Sequence, residues 1–324
     1  MAEVDPEVGM VLKRLAQLGR PSLQDRALAV SRADHDADSV WVSGPGQEVA
    51  RVEGCSVPGP GGPIPVRIYW PMGAEPSSGP GVEREADPPG CTGASRSVSG
   101  DAPLPVVAYF HGGGWLLGSI DSFDCVCRAL SNAAGAIVMN VGYRLAPEHP
   151  FPAAADDAEA AVRWLAEHAG ELGGDPERLA VVGDSAGANL ATVAARRAHD
   201  ARIRFQVLVY PVTDCHRDDD DPAMRWMWAT YAGDDAGKVD ADPDIAPLRG
   251  VLDGLPPALI LCAEEDPLRV DGEAYAAALR EAGVDVEHRT VSGTTHGFWR
   301  WLALCAVARR TVDEVGLAVR GALV

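Results

Sequence analysis

A serine hydroxyl is a weak nucleophile until a neighbouring base takes its proton, and the serines that do covalent chemistry sit on sharp turns where such a base can reach them. The string Gly183-Asp184-Ser185-Ala186-Gly187 offers that setting: it follows the apolar run Leu179 to Val182 and opens the alanine-rich stretch Ser185 to Arg197. Strand, turn and helix in that order form the context of a nucleophile elbow, and glycines on both sides of the serine relieve the crowding. Read alone, the same letters also describe an ordinary turn whose serine caps a helix.

A second string, His111-Gly112-Gly113-Gly114-Trp115, follows the run Val106 to Phe110. Glycines there let backbone N–H groups turn inward as donors for a developing alkoxide. The expected oxyanion donors are the amides of Gly112 and Gly113, joined by that of Ala186 after the nucleophile. The spacing is not GxGxxG and no Gly-Lys-Ser/Thr follows, so a nucleotide phosphate is a poor fit.

A serine of this kind needs a base, and the base needs an orienting acid. His296, in Thr294-Thr295-His296-Gly297-Phe298, follows the run Val286 to Val291. Asp266 follows the run Ala258 to Cys262 and precedes Pro267, with Glu264 and Glu265 as second choices for the acid. The resulting order along the chain is serine, acid, histidine, which makes Ser185, Asp266 and His296 the expected catalytic residues.

The elements that must position these residues are legible in the alternation of the chain. Seven apolar, β-branched runs, Ile64 to Tyr69, Val106 to Phe110, Ala136 to Val141, Leu179 to Val182, Phe205 to Tyr210, Ala258 to Cys262 and Val286 to Val291, read as strands. Helical patterns over 153–168, 185–197 and 271–282 lie between them. That predicts an α/β fold, a mostly parallel sheet covered on both faces, whose first strand or two run antiparallel. Residues 73–103, rich in Gly, Pro and Ser, read as a flexible insertion. Within 1–50, the apolar positions Val8, Val11, Leu12, Leu15 and Leu18 and a second possible helix near 23–30 predict helices lying as a cap over the catalytic domain, 51–324. A second cap segment is expected at 212–250.

At this point the chain resembles the bacterial hormone-sensitive-lipase-like (family IV) carboxylesterases of the α/β-hydrolase superfamily, from about Val52 to the C-terminus. The resemblance is carried by Pro58 to Tyr69, His111 to Trp115, Tyr143-Arg144-Leu145-Ala146-Pro147-Glu148-His149-Pro150-Phe151-Pro152, Gly183 to Gly187, Asp266-Pro267-Leu268 and His296-Gly297-Phe298. It implies an eight-stranded sheet, a helical cap and hydrolysis of short- to medium-chain acyl esters through an acyl-enzyme, without cofactor or metal. An amide, formamide or lactone hydrolase on the same site, or a catalytically weak small-molecule receptor, is the alternative. Pairing of relatives through a sheet edge makes a homodimer a further expectation. Three departures stand out: the 73–103 insertion is longer than relatives usually have, the segment between Asp214 and Met224 is short, and Val270 stands where relatives commonly carry an acid.

Composition narrows the partners. A net charge of −19 repels phosphate backbones and anionic membranes, so the expected partner is a small ester and not nucleic acid. Seven cysteines without metal spacing lead to an expectation of reduced thiols, and the lack of a long apolar run argues against stable membrane insertion and for a cytoplasmic protein. Trp115, Asp184, Trp226 and Trp228 are candidate substrate-binding residues; Asp184 could equally brace a loop, and the two later tryptophans, with Tyr231, could equally seal a cap helix. Arg144, Glu148 and His149 read as a structural network. The aspartates at 214, 218–221, 240, 242 and 244 read as solvated acidic loops, because Ile245 and Val251 stand where a calcium loop needs Gly and Glu.

Overall fold

Eight strands form one sheet, and its C-terminal edge collects the residues singled out above. The computed structural model describes residues 4–74, 102–214, 222–233 and 242–324. The strands are β1 (Arg51–Val57), β2 (Ile64–Trp70), β3 (Leu104–Phe110), β4 (Ile137–Val141), β5 (Gly174–Asp184), β6 (Phe205–Val209), β7 (Ala258–Glu265) and β8 (Val286–Thr295). Their order across the sheet is β1-β2-β4-β3-β5-β6-β7-β8, with β2 antiparallel to both its neighbours and every pairing from β4 to β8 parallel.

All seven expected strands are present. The eighth, β1, follows no apolar run, because it is an edge strand on which only Val57 is buried. In the central strands consecutive side chains enter different cores, as a pleated strand requires. Val106, Ala108 and Phe110 of β3 join one core, with Leu179 and Val181 of β5; Val107 and Tyr109 join the other, with Ala180 and Val182. Helices α4 (Ala153–His168), α5 (Ala186–Arg197) and α7 (Arg269–Glu281) cover the first face, and α3 (Asp124–Ala134) and α8 (Ala306–Ala322) the second.

Two helices precede the sheet. Helix α1 (Pro6–Gln17) begins with Asp5, whose carboxylate accepts from the amides of Glu7 and Val8, followed by Pro6 at the first helical position. Helix α2 spans Leu28–Ser43, well beyond the expected 23–30, where only a short turn forms at Leu23–Asp25. Its length was hidden because its buried positions are Ser31, Asp38, Ser39, Val42 and Ser43, mostly polar, so no apolar stripe marks it. Helix α6 (Pro222–Ala232) packs against the Leu23–Asp25 turn. Most of the 73–103 insertion and the aspartates at 218–221 and 240 lie outside the described residues.

The expectation of reduced thiols is corrected at one position. Cys55, on the exposed edge strand β1, is disulfide-bonded, and its partner lies outside the described residues. Cys125, Cys127, Cys262 and Cys305 are free. Among the described residues no helix is long and apolar enough to cross a membrane, and no cluster of His, Cys, Asp and Glu could hold a metal ion.

Candidate active site

The turn from β5 into α5 is as sharp as its glycines imply. Ser185 has φ 54° and ψ −121°, a backbone conformation that non-glycine residues rarely adopt, and its N–H donates to the Val209 carbonyl at 2.9 Å. A Cβ on Gly187 would overlap the carbonyl oxygen of Phe110, and one on Gly183 that of Gly187. The turn is therefore closed to any larger residue at those two positions.

The three residues expected to act together do meet. His296 Nε2 lies 2.9 Å from Ser185 Oγ, and His296 Nδ1 lies 2.7 Å from Asp266 Oδ2. Asp266 Oδ1 accepts from the Leu268 amide at 2.9 Å, so the carboxylate is held at both oxygens, and its side chain is fully buried. Of the second choices for the acid, Glu264 is committed to the Gly293 amide at 2.8 Å. Strands β7 and β8 set this geometry: Glu265 pairs with Thr295, and Thr295 Oγ1 donates to the Glu265 carbonyl. A residue not foreseen, Tyr210 at the end of β6, places its ring 4.5 Å from that of His296. Its position just past a strand at the same sheet edge was the available signal.

The glycine string requires a correction. Gly112 N–H donates to Asp184 Oδ1 at 2.9 Å, so this amide is committed to a buried carboxylate and is not free to serve an oxyanion. The following turn is closed by the Leu116 and Leu117 amides, which both donate to the Gly113 carbonyl, at 3.1 and 2.9 Å. Gly113 and Gly114 take φ of 128° and 61°, and their N–H groups stay outside the hydrogen bonds described for this loop. Ala186 is the first residue of α5, where a helix leaves its N–H without an internal acceptor. The donor set that the geometry offers is thus Gly113, Gly114 and Ala186, with Gly114 in place of Gly112.

Asp184, a candidate substrate contact that could equally brace a loop, does brace the glycine loop. Its oxygens accept from Tyr109 Oη (2.7 Å), the Gly112 amide (2.9 Å) and Tyr210 Oη (3.3 Å), and burial raises its pKa to about 6 against the effect of those bonds. His111, at the head of the string, is also buried, which lowers its pKa to about 4 and keeps the imidazole neutral. Its ring stacks on Tyr143 and Phe123, and Nδ1 lies 2.9 Å from the Gly112 carbonyl.

On the other side of the glycine loop stands an aromatic wall. Trp115 stacks on Tyr231 at 4.3 Å and meets Trp228 at 4.7 Å, all three being buried, while Trp226 is half-buried against the same core. Helix α6 reaches the loop itself, since a Cβ on Gly114 would lie 2.6 Å from Met227 Sδ. Arg144 is bidentate to the buried Asp157 and also donates to the Ala153 carbonyl, and Glu148 pairs separately with Arg32. Val270 is half exposed; the next residue, Asp271, is buried and accepts from the amides of Thr213 and Asp214.

A sequence model described as the alpha/beta hydrolase fold matches residues 107–300. The chain is 40% identical over 277 residues to Carboxylesterase NlhH of Mycobacterium tuberculosis, covering 80% of this chain and 79% of that one. It is 41% identical over 254 residues to the Ethyl acetate hydrolase of Pseudomonas putida, covering 73% and 72%. A solved hyperthermophilic esterase from the archaeon Pyrobaculum calidifontis superposes with a TM-score of 0.81 at 32% identity, over 98% of each chain. With fold, motifs and relatives in agreement, the chain belongs to the α/β-hydrolase family, in the hormone-sensitive-lipase-like branch that its motifs resemble.

Proposed function

We propose that the chain hydrolyses small carboxylic esters by acyl transfer to Ser185 and then to water. The observation that carries the reading is the continuous hydrogen-bonded chain Ser185–His296–Asp266, at 2.9 and 2.7 Å. In this mechanism His296 accepts the Ser185 proton as the oxygen attacks the ester carbonyl, and Asp266 steadies the imidazolium. The Gly113, Gly114 and Ala186 amides hold the tetrahedral oxyanion. Returning its proton to the alkoxy leaving group, His296 releases the alcohol, and water repeats the sequence on the acyl-enzyme. The names of the relatives support an ester in particular.

The N-terminal helices α1 and α2, with α6 from the 212–250 segment, act in this reading as the cap over residues 51–324. Helices α2 and α6 and the aromatic wall stand directly on the glycine loop, which favours short- to medium-chain acyl groups. A panel of p-nitrophenyl esters, with Ser185→Ala as the blank, tests both points. Turnover should be highest for acyl chains up to about eight carbons and fall by roughly tenfold or more for the longest, each unaccommodated methylene weakening transition-state binding. A flat profile out to sixteen carbons would reject the acyl-length assignment, and equal rates for wild type and blank would reject the hydrolase. Pairing into a homodimer belongs to the same proposal, supported by the edge position of β8. Location in the cytoplasm rests on the four free thiols of the described residues, and the Cys55 disulfide counts against it.

A further inference from the structure

Helix α2 touches both halves of the candidate site through polar contacts that the hydrolase reading does not use. At one end, Arg32 Nε donates to the Leu116 carbonyl at 2.8 Å, and Arg32 Nη2 donates to the Ala146 carbonyl at 2.8 Å. Leu116 and Ala146 are buried, and the Ala146 amide in turn donates to the Trp115 carbonyl. One turn on, Asp36 Oδ1 accepts from Ser119 Oγ at 2.9 Å. At the other end, Arg300 Nη1 donates to Ser39 Oγ at 3.1 Å, Ser43 Oγ donates to the Arg300 carbonyl at 2.7 Å, and the Ala303 amide donates to the Val42 carbonyl. Arg300 closes the short helix Phe298–Arg300 that follows His296.

A single rigid helix therefore spans from the loop carrying the oxyanion donors to the loop carrying the base. Leu116 lies at the far end of the turn that opens at Gly113, the turn closed by the Leu116 and Leu117 amides on the Gly113 carbonyl. Holding Leu116 from outside fixes the tilt of that turn and with it the direction of the Gly113 and Gly114 N–H groups. The Arg32–Glu148 ion pair is the lesser part of the contact: the Glu148 side chain is 55% exposed, and exposed pairs are screened by water. The two carbonyls are buried, and a planar guanidinium is the side chain that can serve both at once.

We propose that Arg32 is a positioning residue for the hydrolysis, tying α2 to the glycine loop so that the oxyanion donors keep their register with Ser185 and His296. The inference rests on the ester-hydrolase reading. Its test compares wild type with Arg32→Met, Arg32→Lys and Glu148→Gln, measuring kcat, KM, the inhibition constant of a trifluoromethyl ketone that forms a tetrahedral adduct, and the melting temperature. Arg32→Met should lower kcat by about ten- to a hundredfold, as sub-ångström misplacement of catalytic donors does, with KM within about threefold. Ketone affinity should fall in parallel, because the adduct alone carries the oxyanion. Arg32→Lys keeps the charge but replaces the planar fork, whose Nε and Nη2 each serve one carbonyl, by a single point donor group, so it should show at least half of that effect on a logarithmic scale. Glu148→Gln leaves both carbonyl bonds in place and should stay within about twofold of wild type.

Unchanged kcat in Arg32→Lys at a temperature well below melting would overturn the proposal, and that variant decides the matter even where Arg32→Met does not fold. Equal losses in Glu148→Gln and Arg32→Lys, or a kcat loss without loss of ketone affinity, would overturn it as well. Absence of turnover by the wild type would sink the hydrolase reading and this inference together, whereas turnover by wild type with normal Arg32 variants sinks the inference alone.

Discussion

Ser185→Ala or His296→Ala is expected to lower kcat for a good ester by on the order of 10⁶-fold, and Asp266→Asn by about 10⁴-fold, with KM little changed. The first two remove the nucleophile or the group within hydrogen-bond distance that takes its proton. The third acts through the tautomer. Leu268 N–H donates to Asp266 Oδ1, so an asparagine placed there keeps its oxygen on that amide and turns its NH₂ toward His296. Nδ1 must then accept, Nε2 carries the proton, and the face toward Ser185 Oγ no longer holds a free lone pair. Because the three residues work as one unit, the double variant Ser185→Ala/His296→Ala should be no slower than either single one. Steady-state kinetics with an activated ester reads all four. Ser185→Ala turnover within tenfold of wild type would move the nucleophile elsewhere.

The convergence of those three residues is legible in the sequence because each sits just past a strand of a parallel sheet, where the chain order alone brings loops to one edge. The strands themselves are legible because they are buried on both faces and so read as apolar runs. Where burial is one-sided or polar, that signal fails. Strand β1 buries only Val57 and leaves no run, and α2 turns serines and an aspartate inward because its partners are carbonyls, a guanidinium and hydroxyls. The assignment of Gly112 as an oxyanion donor fails for a related reason. A glycine string tells where N–H groups can turn, but which of them is already taken depends on Asp184, seventy-two positions away in sequence and adjacent in space.

That carboxylate carries the other large expected effect. Asp184→Leu should lower kcat by about a hundredfold or more, since an oxyanion donor out of place costs that much. The cause is local: the leucine leaves the Gly112 amide and the Tyr109 and Tyr210 hydroxyls without their acceptor, in a site 4% exposed, and the first peptide of the loop loses the bond that holds it. Each orphaned donor costs about 1–3 kcal/mol, so the variant should also melt early. Asp184→Asn separates charge from shape. Burial raises the Asp184 pKa from 3.8 to about 6, so the folded state favours the protonated acid. Its contribution to stability is fully present below pH 3.8 and is lost as pH rises through about 6. Asparagine does not titrate. Between pH 4 and 7 the stability of Asp184→Asn relative to wild type should therefore improve by about 2 kcal/mol, most of the equivalent of the shift. Urea unfolding of both proteins across that range measures it. A difference independent of pH would mean that Asp184 is already ionised at no cost, and kcat within threefold of wild type in Asp184→Leu would mean that the glycine loop holds itself.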